Sequence, residues 1–204
     1  MKEIIVATTN QGKVKELALA LVGLPVTLVS LAELRESLPE AEETGKTFAA
    51  NAILKATHYS LLTGKPCLAD DSGLEVDALH GAPGVYSARY AGEGASSEEC
   101  NQKLLHELVG VEVEQRTARF RCVLAYVDPD GTLLTADGTL EGMILNEGCG
   151  LGGFGYDPLF YLPAKGKSLA EISSEEKNSV SHRGQAVRNL AQQLMRYYHE
   201  NRGY

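Results

Sequence analysis

The sequence predicts an α/β protein built on a mixed β-sheet flanked by helices, and three observations carry that expectation. Short apolar runs alternate with helical stretches in the N-terminal part of the chain, the pattern of strands linked by helical crossovers. From Thr117 to Val127 the residues alternate, and Asp128-Pro129-Asp130-Gly131 then supplies a hairpin turn, which adds antiparallel strands to the parallel ones. The 204 residues, 44% hydrophobic and 23% charged, suffice for one full core or for two lobes around a cleft, at roughly 100–200 residues per domain.

Ile4-Ile5-Val6-Ala7 reads as a first strand buried on both faces. The loop Thr8 to Lys13 follows, then a helix with Val14, Leu17, Ala18 and Leu21 on one face. Pro25 opens a second strand, Val26 to Val29. Thr44 or Thr47 caps a long helix that runs to about Thr63 and is stopped by Gly64 and Pro66. Phe48, Ala52, Tyr59 and Leu62 make its core stripe, while Asn51 and Lys55, four apart, share a different face. Cys67-Leu68-Ala69 is a short buried strand, and Ser72-Gly73 the turn that ends it. Ser96 with Glu99 forms a capping box for a helix burying Cys100, Leu104 and Leu108. Thr132 to Leu140 returns as the hairpin partner of the alternating strand. Glu147 to Lys167 is a long irregular segment; loops of that length are functional or disordered, and its aromatic residues argue against disorder. The last helix begins near Ser181 and packs Val187, Leu190, Leu194 and Tyr197.

Bulk properties narrow the functions. A net charge of −8 argues against a nucleic-acid partner bound through a broad basic surface, so an anionic substrate must meet a local cluster of Lys and Arg. The longest apolar runs, such as Leu17 to Val22, are far short of a membrane span, and no secretory segment opens the chain. Cys67, Cys100, Cys122 and Cys149 form no C-x-x-C pair, which fits reduced thiols in a cytoplasmic protein. His58, His80, His106 and His199 show no metal-ligand spacing.

The chemistry concentrates in a few blocks. Asp70-Asp71-Ser72 places two carboxylates and a hydroxyl at the end of an apolar run. Such a pair needs something to offset its repulsion, and hard divalent cations take carboxylate oxygens. Glu42-Glu43 supplies a second acidic pair; on its own it reads as a solvated patch. Thr8 to Lys13, between a strand and a helix, lies where α/β proteins hold phosphates, and helix-start N–H groups with the Lys13 charge favour an anion there. It is not a Walker A motif, and as an isolated motif a plain turn with a solvated lysine is the better reading. Gly148-x-Gly150-x-x-Gly153 matches a dinucleotide fingerprint, but no helix follows, so these glycines read as a mobile or tightly turned loop. Phe154-Gly155-Tyr156-Asp157-Pro158 is too aromatic for a solvent loop: it is either a lid packed on the core or a purine slot in which Phe154 stacks on a base and Asp157 orients donors or the base edge. Ser181-His182-Arg183 is a donor cluster or an ordinary helix cap.

In order, the blocks T-T-N-Q-G-K, E-E-T-G-K-T-F-A-A-N-A, L-A-D-D-S-G-L, G-A-P-G-V-Y-S-A-R-Y, G-G-F-G-Y-D-P and S-H-R-G-Q-A closely resemble the inosine triphosphate pyrophosphatase family, the XTP/dITP diphosphatases. The resemblance runs from Ile4 to about Leu194. It implies one domain over residues 1–204 with an elongated mixed α/β fold, two lobes about a central substrate cleft, a homodimer, and Mg²⁺-dependent release of pyrophosphate from ITP, dITP or XTP. Carried over, Thr8, Thr9, Asn10, Gln11, Gly12 and Lys13 would hold the triphosphate. Glu43 and Asp71 would bind Mg²⁺, and Asp71 would accept the proton of the attacking water; Glu42 and Asp70 are less clearly tied to the metal. Ser72 and Lys55 would contact substrate, and Phe154, Gly155, Tyr156, Asp157, Lys177, His182 and Arg183 the nucleoside. Two other readings stand beside it: a pyrophosphatase for other modified nucleotides, and a nucleotide sensor that binds without cutting.

Overall fold

β-Branched runs and capped helical stretches resolve, in a computed structural model that describes residues 2–8, 11–34 and 38–200, into seven strands and five α-helices among those residues. In chain order they are β1 (Lys2–Val6), α1 (Gln11–Ala20), β2 (Val26–Ser30), α2 (Phe48–Thr63), β3 (Cys67–Val76) and α3 (Ser97–Glu107). There follow β4 (Thr117–Val127), β5 (Leu133–Ile144), β6 (Phe160–Leu162), β7 (Lys167–Ser168), α4 (Ser174–Val180) and α5 (His182–Glu200). The strand order is β2-β1-β3-β4-β5-β6-β7, with β1 parallel to both its neighbours and β5, β6 and β7 antiparallel. The sheet is therefore mixed, as the sequence predicted. Among the described residues no helix is long and apolar enough to cross a membrane.

The chain divides into two compact units. The first comprises Met1–Asp71, Cys122–Asp137 and Gly184–Tyr204. Successive strand residues point to opposite faces, so Ile4 and Val6 of β1 join Val14 and Leu17 of α1 and Val187, Leu190 and Leu194 of α5 in one core. Ile5 and Cys67 pack on the other face with Tyr59 of α2. Thr47, not Thr44, caps α2: its hydroxyl accepts the Ala50 N–H at 3.1 Å, and Gly64 at φ +63° ends the helix. Three side chains differ from expectation. Leu62 is 46% exposed, with Ala56 buried instead. Ala18 is exposed, and Tyr198 rather than Tyr197 is buried in the core.

The second unit comprises Ser72–Arg121 and Gly138–Arg183. Leu74 and Val76 of β3, Cys100 and Leu104 of α3, Ala118 and Phe120 of β4, and Phe160 of β6 share its core. The Ser96/Glu99 capping box forms as read, with Glu99 N donating to Ser96 Oγ at 3.2 Å and Ser96 N to Glu99 Oε2 at 2.7 Å. Ser72-Gly73 does not end β3, which continues to Val76; pairing in the sheet outweighs the turn preference of a Ser-Gly step. The irregular segment contains β6, and β7 and α4 follow before α5. Its glycines make a tight turn. Gly152 N donates to Ala170 O at 3.0 Å, and a Cβ on Gly152 would lie 2.9 Å from that oxygen. Gly153 sits at φ +74°, where a Cβ would overlap the Asp157 carboxylate.

Candidate active site

In the first unit the acidic blocks and two lysines come together. Asp71, on β3, is 9% exposed. Lys55, projecting from α2, places its Nζ 3.0 Å from Glu43 Oε1 and 3.8 Å from Asp71 Oδ1, so one ammonium draws both carboxylates to a single point. Asn51, one helical turn earlier, donates from Nδ2 to Asp71 Oδ2 at 3.0 Å. Burial is the largest influence on Asp71 and pushes its pKa above the ordinary carboxylate value; Lys55 and Asn51 pull the other way, and Glu43 and Asp70 add to the rise. Lys13 Nζ contacts both oxygens of Asp70, at 2.9 and 2.7 Å. Asp70 is thus the partner of Lys13, and Glu42 is exposed. Thr8 lies after β1, its carbonyl accepting the Leu31 N–H at 3.2 Å. Gln11 and Gly12 open α1, while Thr9 and Asn10 lie outside the described residues.

The donor set has the chemistry of a hard-cation site that is incomplete alone. Among the described residues no three His, Cys, Asp or Glu side chains are grouped to hold a metal. Two carboxylates already converge on a cation, however, the Lys55 ammonium. Mg²⁺ is commonly held by one or two carboxylates with the remaining oxygens from water and substrate phosphates, and Glu43 with Asp71 fits that pattern.

In the second unit the aromatic block is a supported turn. Phe154 is 69% exposed, with Lys177 Nζ 4.4 Å from its ring centroid. Asp157 is 2% exposed, and its carboxylate accepts the Phe154 N–H at 2.8 Å and pairs with Lys177. Asp157 therefore braces the turn and its lysine from beneath. Asn101 Nδ2 donates to Gly155 O at 3.1 Å, and Tyr156 OH to Ser87 O at 2.9 Å. His182 stacks on Phe120 with ring centroids 5.1 Å apart and planes 12° apart, and Arg183 Nη2 donates to Ser72 Oγ at 3.2 Å.

The structure thus groups Lys13, Glu43, Lys55 and Asp71 with Asp70 in one unit, and Phe154, Asp157 and Lys177, and separately Ser72 with Arg183, in the other. The sequence reading missed Asn101, Ser87 and Phe120 as supports and noted only the helical face of Asn51. The one available signal was the four-residue spacing of Asn51 and Lys55.

A family model described as the Ham1 family matches residues 4–193, and the chain belongs to that family. A dITP/XTP pyrophosphatase of Geobacter sulfurreducens is 54% identical over 194 residues, covering 95% of this chain and 97% of that protein. One of Shigella flexneri is 50% identical over 196 residues, covering 95% and 98%. A HAM1 protein of Coxiella burnetii superposes with a TM-score of 0.90 at 43% identity, over 96% of this chain and 100% of that one. The Ham1 protein of Staphylococcus aureus gives 0.89 at 41%, over 96% and 100%.

Proposed function

We propose that this protein is a nucleoside triphosphate pyrophosphatase that converts non-standard purine nucleotides, ITP, dITP and XTP, and water into the monophosphate and pyrophosphate. The observation that carries the reading is the convergence of Glu43 and Asp71 on Lys55, in a chain about half identical to proteins named for that activity. Mg²⁺ is the metal we assign to Glu43 and Asp71; when bound it neutralises charge on phosphate oxygens and acidifies water. Asp71 accepts the proton of the attacking water at its carboxylate. Lys13, Lys55 and the N-terminal N–H groups of α1 hold the phosphates, and these cations are the local positive cluster that a −8 chain requires. Release at the α-phosphorus breaks the α–β anhydride bond and leaves pyrophosphate as the second product.

The nucleoside contacts fall to Phe154 through Asp157, Lys177, His182 and Arg183, while Ser72 and Lys55 contact substrate. The exposed Phe154 ring suits stacking on a base. Donors from this group donate to the oxygen of a 6-oxo purine and meet the 6-amino group of adenine donor to donor; a site built to hydrogen-bond one partner rejects the mismatch by about 10⁴–10⁵. The reading extends to a homodimer working in the cytoplasm. A substrate panel tests it: purified protein with Mg²⁺ should release pyrophosphate from ITP and XTP much faster than from ATP. Equal rates on all purines, or no product, overturn it.

A further inference from the structure

Asn51 has 0% exposure. Its polar side chain gives α2 little apolar burial and favours caps over helix interiors, so its place needs a reason. A buried amide must satisfy both ends, since each unmet group costs about 1–3 kcal/mol. Asn51 does so with two partners distant in sequence: Oδ1 accepts the Gly45 N–H at 2.8 Å, and Nδ2 donates to Asp71 Oδ2 at 3.0 Å. The approach of the Gly45 backbone is close enough that a Cβ there would lie 2.5 Å from Asn51 Oδ1. Gly45 follows Glu43 by two residues in the chain. A single planar amide therefore ties the segment carrying one acidic group to the carboxylate of the other.

We propose that Asn51 is a positioning residue for the two metal-binding carboxylates, holding Asp71 at a fixed place relative to the Glu43 segment so that the pair is assembled before metal arrives. The inference rests on the assignment of metal to Glu43 and Asp71. Groups that hydrogen-bond to metal ligands are worth about 10–100-fold in metal affinity or activity when removed, and that is the effect expected here.

Two substitutions separate positioning from packing. Asn51→Leu keeps the branched shape and removes both bonds. Asn51→Asp keeps the acceptor for Gly45 and turns the link to Asp71 into repulsion. Mn²⁺ binding to the nucleotide-free protein, read by electron paramagnetic resonance, should weaken about 10–100-fold in Asn51→Leu. In both variants kcat on ITP should fall by a similar factor while KM changes less than about threefold. Asn51→Asp with kcat within about twofold of wild type, or Asn51→Leu with unchanged Mn²⁺ affinity, overturns the proposal. Should either variant fail to fold, the wild type decides: the side-chain amide resonances of Asn51 should shift on titration with Mg²⁺ alone, and unmoved resonances refute it. Wild-type protein that binds metal but releases no pyrophosphate would instead refute the assigned activity and leave the role of Asn51 standing.

Discussion

Lys177→Met tests whether the aromatic turn is braced by an ion pair rather than packed as a lid. Lys177 and Asp157 have side chains only 15% and 3% exposed, so removing the lysine leaves a carboxylate with little solvent. Breaking one partner of a buried pair costs about 3–5 kcal/mol. Asp157 keeps the Phe154 N–H at 2.8 Å, which places the cost near the low end, about 3 kcal/mol. At roughly 2–4 °C per kcal/mol for a chain of this size, the melting temperature should fall by about 6–12 °C. Differential scanning calorimetry reads this, and if the two units melt separately, the transition of the second should move. Lys177→Met combined with Asp157→Asn removes the orphaned charge, keeps an acceptor for the Phe154 N–H, and should recover more than half of the loss. KM for ITP should rise about tenfold with kcat nearly unchanged, the mark of an interaction equal in ground and transition states. A single variant that melts within about 2 °C of wild type would show that the pair does not support the turn.

Asp71→Asn should lower pyrophosphate release by about 10²–10⁴-fold in a discontinuous phosphate assay; retained activity removes Asp71 from the reaction. A folded-state pKa raised by burial means that the Asp71 contribution to stability is fully present below the ordinary carboxylate value and is lost as pH rises through the folded value. Metal-free Asp71→Asn is therefore expected to melt at or above wild type at about pH 7, with the difference shrinking on acidification through the folded pKa; a variant less stable at neutral pH refutes the sign. Gly155→Ala at φ +61° meets open space and should cost about 1–2 kcal/mol in chemical denaturation. Gly153→Ala must also displace Asp157 and should cost clearly more; equal costs would refute the close contact. Burial pushes the Cys67 thiol up to about 12, Cys100 and Cys122 are buried and Cys149 is half-buried, so a thiol-titrating reagent should find one rapid cysteine in native protein. A Cys149→Ser variant that keeps a rapid thiol would contradict this.

Local signals made much of the fold legible. Thr47 and Gly64 bound α2, Ser96 and Glu99 start α3, and the alternation of β4 with the Asp128–Gly131 turn gave an antiparallel pair. What was hidden depends on partners far away in the chain. Ser72-Gly73 looks like a turn until sheet pairing extends β3 through it, and the three-residue β6 and two-residue β7 are too short for periodicity to register. Within the site, residue types were readable but pairings were not. Asp157 carries no sign in sequence that its carboxylate faces inward to Lys177, and Asn51 reaches across twenty residues to Asp71.

Those pairings share a pattern with a functional consequence. Lys13 is held by Asp70, Lys55 by Glu43 and Asp71, and Lys177 by Asp157. The lysines assigned to phosphate are thus engaged with carboxylates, including the two assigned to metal. A triphosphate alone must compete with Glu43 and Asp71 for Lys55, and a cation alone must compete with Lys55 for the same carboxylates. Supplied together, the cation offsets the carboxylates and the phosphates take the lysine, so each ligand relieves the cost of the other. Coupling of this kind is worth about 1–3 kcal/mol, or 5–150-fold in affinity, and is reciprocal. Calorimetry with a non-hydrolysable ITP analogue should therefore show tighter binding by at least about fivefold when Mg²⁺ is present, beyond the affinity of the analogue for Mg²⁺ in solution. Lys55→Met removes the shared partner and should shrink that coupling. Independent binding of the two ligands in wild-type protein would mean that the Lys55 bridge does not govern access to the site.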